Sequence, residues 1–430
     1  MSADEMNNPS SAPKTPRRAA MVFIFVTVVL DMIALGMIVP VLPKLIEDFF
    51  HGNTARAAEM VGWFATVWAL MQFVFSPVLG SLSDRYGRRP IILLSNFGLG
   101  LDYIVMALAP TVGWLFLGRV ISGITAASFS TAGAYIADVA PPEKRAGGFG
   151  MISAAFGLGF VLGPALGGVL GNVNARLPFW VAAVLSLLNA MYGLFVLPES
   201  LPSDRREAFS WARANPLGSL KLIRSHAELF GLTAVNFIMS IAHEAMPTTF
   251  VLYAMYRYGW NERTVGLAIA TVGVCAAVVG GGMVQPVVTR FGERRTMLAG
   301  LAFYIASFVI SGFASTGLIF WSGVPVGGLS GLSNPPMQGL MTRHVKASEQ
   351  GQLQGALSSI RGIAFMIGPI LFTQIFADAI GPYRNWHLPG APFLMAALLV
   401  AISMVIAWRV TEPTSSEEII ASAQPAEAID

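Results

Sequence analysis

Gly80-Ser-Leu-Ser-Asp84-Arg85-Tyr-Gly87-Arg88-Arg89-Pro90 lies between two apolar runs, and a degraded copy follows it in Gly282-Met-Val-Gln-Pro-Val-Val-Thr289-Arg290-Phe-Gly292-Glu293-Arg294-Arg295. Gly87 and Gly292 stand 205 positions apart. The same displacement carries Gly150, Gly163 and Pro164 onto Gly355, Gly368 and Pro369, so the chain is two halves built from one repeated unit. Backbone amides cannot go unpaired in hydrocarbon, which makes the apolar runs helices and each polar loop a tight turn that satisfies its own groups.

Of 430 residues, 54% are hydrophobic and 12% are charged, too little charge to coat a soluble protein of this length. A spanning helix needs roughly 20 mostly apolar residues. Such runs fall near 21–43, 61–82, 91–110, 114–136, 148–171 and 179–197, and again near 229–252, 264–287, 297–314, 318–341, 353–378 and 391–410. The predicted fold is an all-α membrane protein of twelve transmembrane helices in two pseudo-symmetric six-helix halves. The bundles cover 21–197 and 229–410, a polar loop covers 198–228, and the tails at 1–20 and 411–430 read as disordered. Within the loop, Leu217 to Ile223 reads as an amphipathic helix on the membrane surface. Met21 to Pro43 is too long for a signal-peptide core and is expected to stay as the first membrane helix.

Twelve crossings put both termini on one side. Of the 27 Lys and Arg, nineteen fall in the N-terminal tail, the even-numbered connections and the C-terminal end, six in the other connections and two inside predicted spans. Positive charge marks the cytoplasmic side, so both termini are expected there. The net charge of +3 reflects this asymmetry and not a basic face for nucleic acid, which is excluded as a partner. The lone Cys275 rules out an internal disulfide and a cysteine zinc site and reads as a small packing residue. No metal site or cofactor is expected. No GxxxxGK[ST] string offers ATP drive, and no clustered nucleophile and base suggest an enzyme.

In the Gly80 loop, Gly80 lets a neighbouring helix approach, Gly87 suits positive φ, Asp84 suits a helix cap, and Arg85, Arg88 and Arg89 suit the anionic leaflet. Its copy has Thr289 in place of the acid and Glu293 in place of Arg88, so it is wired differently. In the fifth span Gly159, Gly163, Gly167 and Gly171 fall four apart on one face, with Gly168 adjoining and Pro164 removing a helical hydrogen bond. Taken alone, that run is open between ordinary close packing and function.

Charges within spans cost about 2.5–3.5 kcal/mol each near mid-bilayer. Here they are Asp31, Asp102, Arg119, the neighbours His243 and Glu244, and Arg361. Asp31, ahead of Gly36 and Pro40, suits either proton binding at a bent helix or a permanent pair with Arg119. Arg119 is a fixed charge suited to tuning a carboxylate or holding an anionic group. Asp102 is open between structural pairing and proton or substrate contact. His243 and Glu244 diverge by about 100° on a helix, so they cannot face one point. At least one is expected to meet the cavity, the other reading being the aqueous end of the seventh span, and Pro247 is positioned to break the helix there. Arg361 either snorkels or pairs with an acid.

Ser83-Asp84-Arg85-Tyr-Gly-Arg88-Arg89-Pro, Leu101-Asp102-Tyr103, Leu117-Gly-Arg119, Ile136-Ala-Asp138 and Phe156-Gly-Leu-Gly159 resemble the drug:proton antiporters of the major facilitator superfamily, above all the tetracycline-exporter group. The likeness runs from Leu30-Asp31 to the twelfth span. It implies a monomeric multi-pass protein of the inner membrane that exports lipophilic or amphipathic drugs against protons by alternating access. The alternative is an importer or facilitator of a small metabolite on the same fold. It further implies that Gly80, Asp84, Arg85, Gly87, Arg88 and Arg89 form a gating loop that latches the halves in one state. Gly159, Gly163, Pro164, Gly167 and Gly168 match an exporter motif, and Asp31, Asp102 and Arg119 match positions that handle substrate and proton. Tyr304 stands where the group has a ninth-span acid, and Val274-Cys275-Ala276 where it has an eighth-span histidine. Both departures point away from the metal–tetracycline chelate as cargo.

Overall fold

The computed structural model describes residues 16–126, 128–139, 145–209, 227–346 and 349–411. Helices and short connections make up these residues, with no strand among them. The surface helix expected at Leu217 to Ile223 and most of both polar tails lie outside the described residues. The first half runs α1 (Pro16–Ile38) with α2 (Leu42–Phe49), α3 (Thr54–Tyr86), α4 (Arg88–Leu108), α5 (Val112–Thr125) with α6 (Ser128–Val139), α7 (Arg145–Val173) and α8 (Leu177–Val196). The second runs α9 (Ala227–His243) with α10 (Ala245–Tyr258), α11 (Glu262–Val278) through a π turn at Val279–Met283 into α12 (Val284–Phe291), and α13 (Glu293–Phe313). Then come α14 (Gly317–Gly328) with a 3-10 turn at Leu329–Leu332 and α15 (Asn334–Arg343), α16 (Gln350–Ile380) and α17 (Ala391–Val410). Helix α1 begins at Pro16, so residues 16–20 are helical and not part of the disordered tail expected at 1–20.

Six crossings per half are present, but not all are continuous. Ten stretches are long and apolar enough to cross a membrane among the described residues; the fourth and tenth crossings fall short because each is split in two. The first and seventh are also broken, and proline is the reason. Pro40 has no N–H to give the Gly36 carbonyl, which instead receives Val39 N–H at 3.3 Å. Pro247 leaves the His243 carbonyl without its donor; Glu244 N–H turns to the Ile241 carbonyl at 3.0 Å, and Thr248 bonds the Glu244 carbonyl through both its amide and its hydroxyl. Val39 and Glu244 are 205 positions apart, and the turn at Leu329–Leu332 includes the position 205 beyond Ala126, where α5 ends. The repeat therefore governs backbone breaks as well as residue types.

Glycine sets how closely the helices approach. The face of α7 carrying Gly159, Gly163, Gly167 and Gly171 lies against α1 and the residue that follows its break. A Cβ at Gly163 would come within 2.8 Å of Gly36 Cα and the Ile33 carbonyl, and one at Gly171 within 2.7 Å of Val41. Gly168 points elsewhere, onto α11 of the other half, where a Cβ would meet the Glu262 carbonyl at 2.5 Å and Gly266 Cα at 3.0 Å. The second seam between halves joins α3 to α16: Gly62 backs onto Thr373, and the Thr66 hydroxyl donates to the Met366 carbonyl at 2.9 Å. Thr373 is the 205-position counterpart of Gly168, so the two seams are related by the repeat.

Both seams close at the end of the molecule remote from the termini. Toward the other end Gly80, Gly147, Gly150, Gly280, Gly281, Gly282 and Gly351 have nothing within reach of an added Cβ. The halves are thus apart where the termini lie and joined opposite. A Gly163→Leu substitution is expected to lower stability by about 1–3 kcal/mol or more, because the obstruction is backbone. Gly157→Ala, which meets open space on the same helix, should leave stability unchanged or raise it. Thermal unfolding of the two variants in detergent checks this, and equal losses would refute the α1–α7 account.

Candidate functional site

Asp31 sits on α1, 4% exposed, eight residues before the break, and accepts a hydrogen bond at 3.0 Å from the Asn189 side-chain amide of α8. The same amide donates to the Thr27 carbonyl at 3.2 Å, which fixes the α1–α8 register around the carboxylate. Asn189 is fully buried and was not singled out from sequence, where a lone asparagine in an apolar run reads as a neutral packing residue.

Arg119 belongs with Asp102 and not with Asp31. On α4, Asp102 is fully buried, and Arg119 on α5 is its electrostatic neighbour, although the two do not close to an ion pair. Gly118 permits this approach, since a Cβ there would lie 2.6 Å from Asp102 Oδ1. The Arg119 guanidinium lies over the Trp68 ring of α3, 5.4 Å from its centroid. Trp68 shares α3 with Gly62 and Thr66 of the seam, and its backbone packs on Gly123 of α5. Buried Tyr103 is an electrostatic neighbour of Asp31, Asp102 and Arg119, and so joins the three charges through one ring.

In the second half His243 and Glu244 lie at the α9–α10 break. His243 Nδ1 meets the Tyr304 hydroxyl of α13 at 3.1 Å, and Arg361 on α16 is its electrostatic neighbour. His243 is exposed and Glu244 half-buried, and both lie at the middle of the crossing and not at its end. The Glu244 stem packs on α16, because a Cβ at Gly368 would come within 2.6 Å of Glu244 Cβ and 2.8 Å of its Cγ. Gly368 is the counterpart of Gly163 and Glu244 that of Val39; the second half therefore places an acid at the break where the first places a valine. An apolar hollow of about 470 Å³ lined by Phe50, Met60, Trp63, Val112, Gly113 and Phe116 contains none of these charged residues. Among the described residues no group of three His, Cys, Asp or Glu is placed to hold a metal ion.

The Gly80 loop is a network within its own half. Arg88 bridges Asp84 at 2.6 Å and Asp138 of α6 at 3.0 Å. Gly87 has φ +104° and leads directly into α4, as expected of a residue without a Cβ. Two expectations are corrected. Asp84 does not cap a helix: the Arg88 and Arg89 amides at the start of α4 donate to Glu199, at 2.8 and 3.3 Å, because that carboxylate is brought over them from the end of α8. Gly80 meets no helix in this conformation, because the halves are apart at that end. Arg89 bonds the Leu194 carbonyl, and exposed Arg85 lies over Tyr86. Glu199 escaped the sequence reading because it lies outside the repeat motif, in the polar connection after α8.

The copy at Gly292, φ +80°, repeats this arrangement with its charges exchanged. Glu293 accepts from Arg343 at 2.8 Å, and these are the counterparts of Arg88 and Asp138. Arg294, counterpart of Arg89, likewise bonds a carbonyl near the end of the last helix, that of Trp408.

The model of a family described as the Major Facilitator Superfamily matches residues 24–286 and 249–429. The class C tetracycline resistance protein of Escherichia coli is 36% identical over 381 residues, which is 87% of this chain and 95% of the relative. The class G protein of Vibrio anguillarum is 34% identical over 389 residues, 90% of this chain and 97% of the relative. Among solved structures, a bacterial homolog of the human lysosomal transporter Spinster, inward-facing and unoccupied, superposes with a TM-score of 0.74 at 17% identity, over 93% of this chain and 98% of that one.

Since the second half already carries the exchanged pair, Arg88→Asp should destabilise the loop, and Arg88→Asp combined with Asp138→Arg should recover most of the loss. A double-mutant cycle on unfolding in detergent is expected to give a coupling of roughly 0.5–3 kcal/mol. A cycle with no coupling would mean that the pair contributes no stability.

Proposed function

Because this chain belongs to the Major Facilitator Superfamily, in the group of the tetracycline resistance proteins, we propose that it exports lipophilic or amphipathic small molecules from the cytoplasm in exchange for protons. The observation that carries this reading is likeness over nearly the whole chain to proteins named for drug resistance. Placing both termini in the cytoplasm follows from the Lys and Arg distribution and makes the open end the cytoplasmic one. In that orientation the conformation described above is open to the cytoplasm, ready to take cargo.

The residues divide the work as follows. Asp31 is the proton carrier. A carboxylate held by a neutral amide, about two helix turns from a break, changes its hydration as the halves rock, and this changes its hold on a proton. Asp102 and Arg119 act together: the buried acid steadies the guanidinium, and the guanidinium over Trp68 faces the space that cargo occupies. Inward proton flow supplies about 2.3 kcal/mol per charge for each 100 mV, plus any pH difference. Drug and proton need only favour opposite conformations for that energy to concentrate cargo outside. Monomeric operation fits a site completed by one chain. Tyr304 and Ala276 weigh against the metal–tetracycline chelate as cargo and in favour of amphiphiles that need no metal.

Expression of the intact chain in a drug-sensitive host is expected to protect against some members of a panel of amphipathic antibiotics, and Asp31→Asn is expected to remove that protection at equal protein level. Protection against nothing would count against export, and full protection by Asp31→Asn would move the proton elsewhere. A second outcome concerns the conformational exchange. Gly168→Leu fills the α7–α11 seam and should favour the opposite, outward-open state. In a Cys275→Ala background, Gly282→Cys should then react more slowly with a maleimide added from the cytoplasmic side; unchanged labelling would show that the seam does not set the equilibrium.

A further inference from the structure

We infer that Glu244 selects cargo by charge: its carboxylate receives the positive charge of a lipophilic monocation in the space between the halves. This rests on the export reading above and adds the class of substrate to it. Of the three acids deep in the spanning helices, Asp31 is engaged by Asn189 and Asp102 has Arg119 beside it. Glu244 has neither. No side-chain hydrogen bond reaches it among the described residues, and no Lys or Arg closes on it within ion-pair distance. Arg361, the cation on the helix packed against it, acts on His243 instead. His243 in turn has its Nδ1 engaged with Tyr304.

The surroundings are those of a binding wall and not of a packed core. Glu244 stands at a helix break on the seventh crossing, and Gly368 behind its stem leaves the Cβ and Cγ against the α16 backbone, so the stem has little freedom. Tyr304, an electrostatic neighbour of Glu244, stacks on Phe308 with ring centroids 4.5 Å apart. A fixed carboxylate without a partner, beside the Tyr304 ring, is suited to a large apolar cation: the carboxylate answers the charge and the ring supplies area and quadrupole. A charge held away from water is costly unless an opposite charge joins it, and this makes charge the feature such a site discriminates. A bare proton is the competing occupant, and a permanently charged probe separates the two.

Isothermal titration of the full chain in detergent with tetraphenylphosphonium and with the neutral triphenylphosphine oxide provides the test. The intact chain is expected to bind the cation at least about tenfold more tightly than the oxide. Glu244→Gln should abolish that preference while leaving the oxide affinity unchanged, which also reports that the variant is folded, and Glu244→Asp should retain part of it. A preference that survives Glu244→Gln, a loss of both probes together, or no preference in the intact chain overturns the inference. Binding is read without transport. A chain that binds with the stated preference yet moves nothing across liposomes sinks the export reading and leaves Glu244 assigned; transport with a preference indifferent to Glu244→Gln sinks the assignment alone.

Discussion

A helix that crosses a bilayer can break only where protein, and not lipid, receives the freed backbone groups. The structure depends on that constraint. The first and seventh crossings break beside Pro40 and Pro247, the fourth and tenth break at positions related by the repeat, and the charged residues deep in the membrane lie on these crossings or pack against them. Asp31 precedes one break, Glu244 occupies another, and Arg119 lies on the segment that ends at a third. Breaks and charges share the same need to be shielded from hydrocarbon, so they gather around one internal space.

Helix α7 holds two relationships at once. Its four-residue glycine spacing binds it to α1 over most of its length, a contact within one half that has no need to open. Gly168, one residue off that face, touches α11 across the seam between halves. The absence of side chains makes both approaches close, and on the seam Val161 of α7 seats against Gly273 of α11. Thr373 against Gly62 serves the other seam in the same way, with a hydroxyl where α7 has hydrogen.

The halves have diverged in charge while keeping geometry. Arg88 with Asp138 and Glu293 with Arg343 occupy equivalent positions with opposite polarity, so the ion pair itself, and not its direction, is what the fold requires. Elsewhere the divergence is functional in character. Val39 follows the end of α1 in the first half, but its counterpart Glu244 packs its stem on Gly368 in the second, which introduces a charge where the first half is apolar.

Much of this was legible in the residues themselves. The 205-position repeat, the twelve crossings, the positive φ at Gly87 and the close packing of the α7 glycine face follow from patterns whose causes are local: hydropathy, chain reversal and the missing Cβ. The proline that breaks the seventh crossing was visible too, though the break falls three residues before it, because the lost hydrogen bond belongs to the preceding turn. Partnerships were not legible. That Asp31 meets Asn189, that Arg119 sides with Asp102, that Glu199 and not Asp84 caps α4, and that Gly168 packs its face on the other half are decided by helices far apart in sequence. A helical pattern fixes which face a residue occupies, whereas the neighbour on that face is set by how the bundle closes, and only the tertiary structure contains that information.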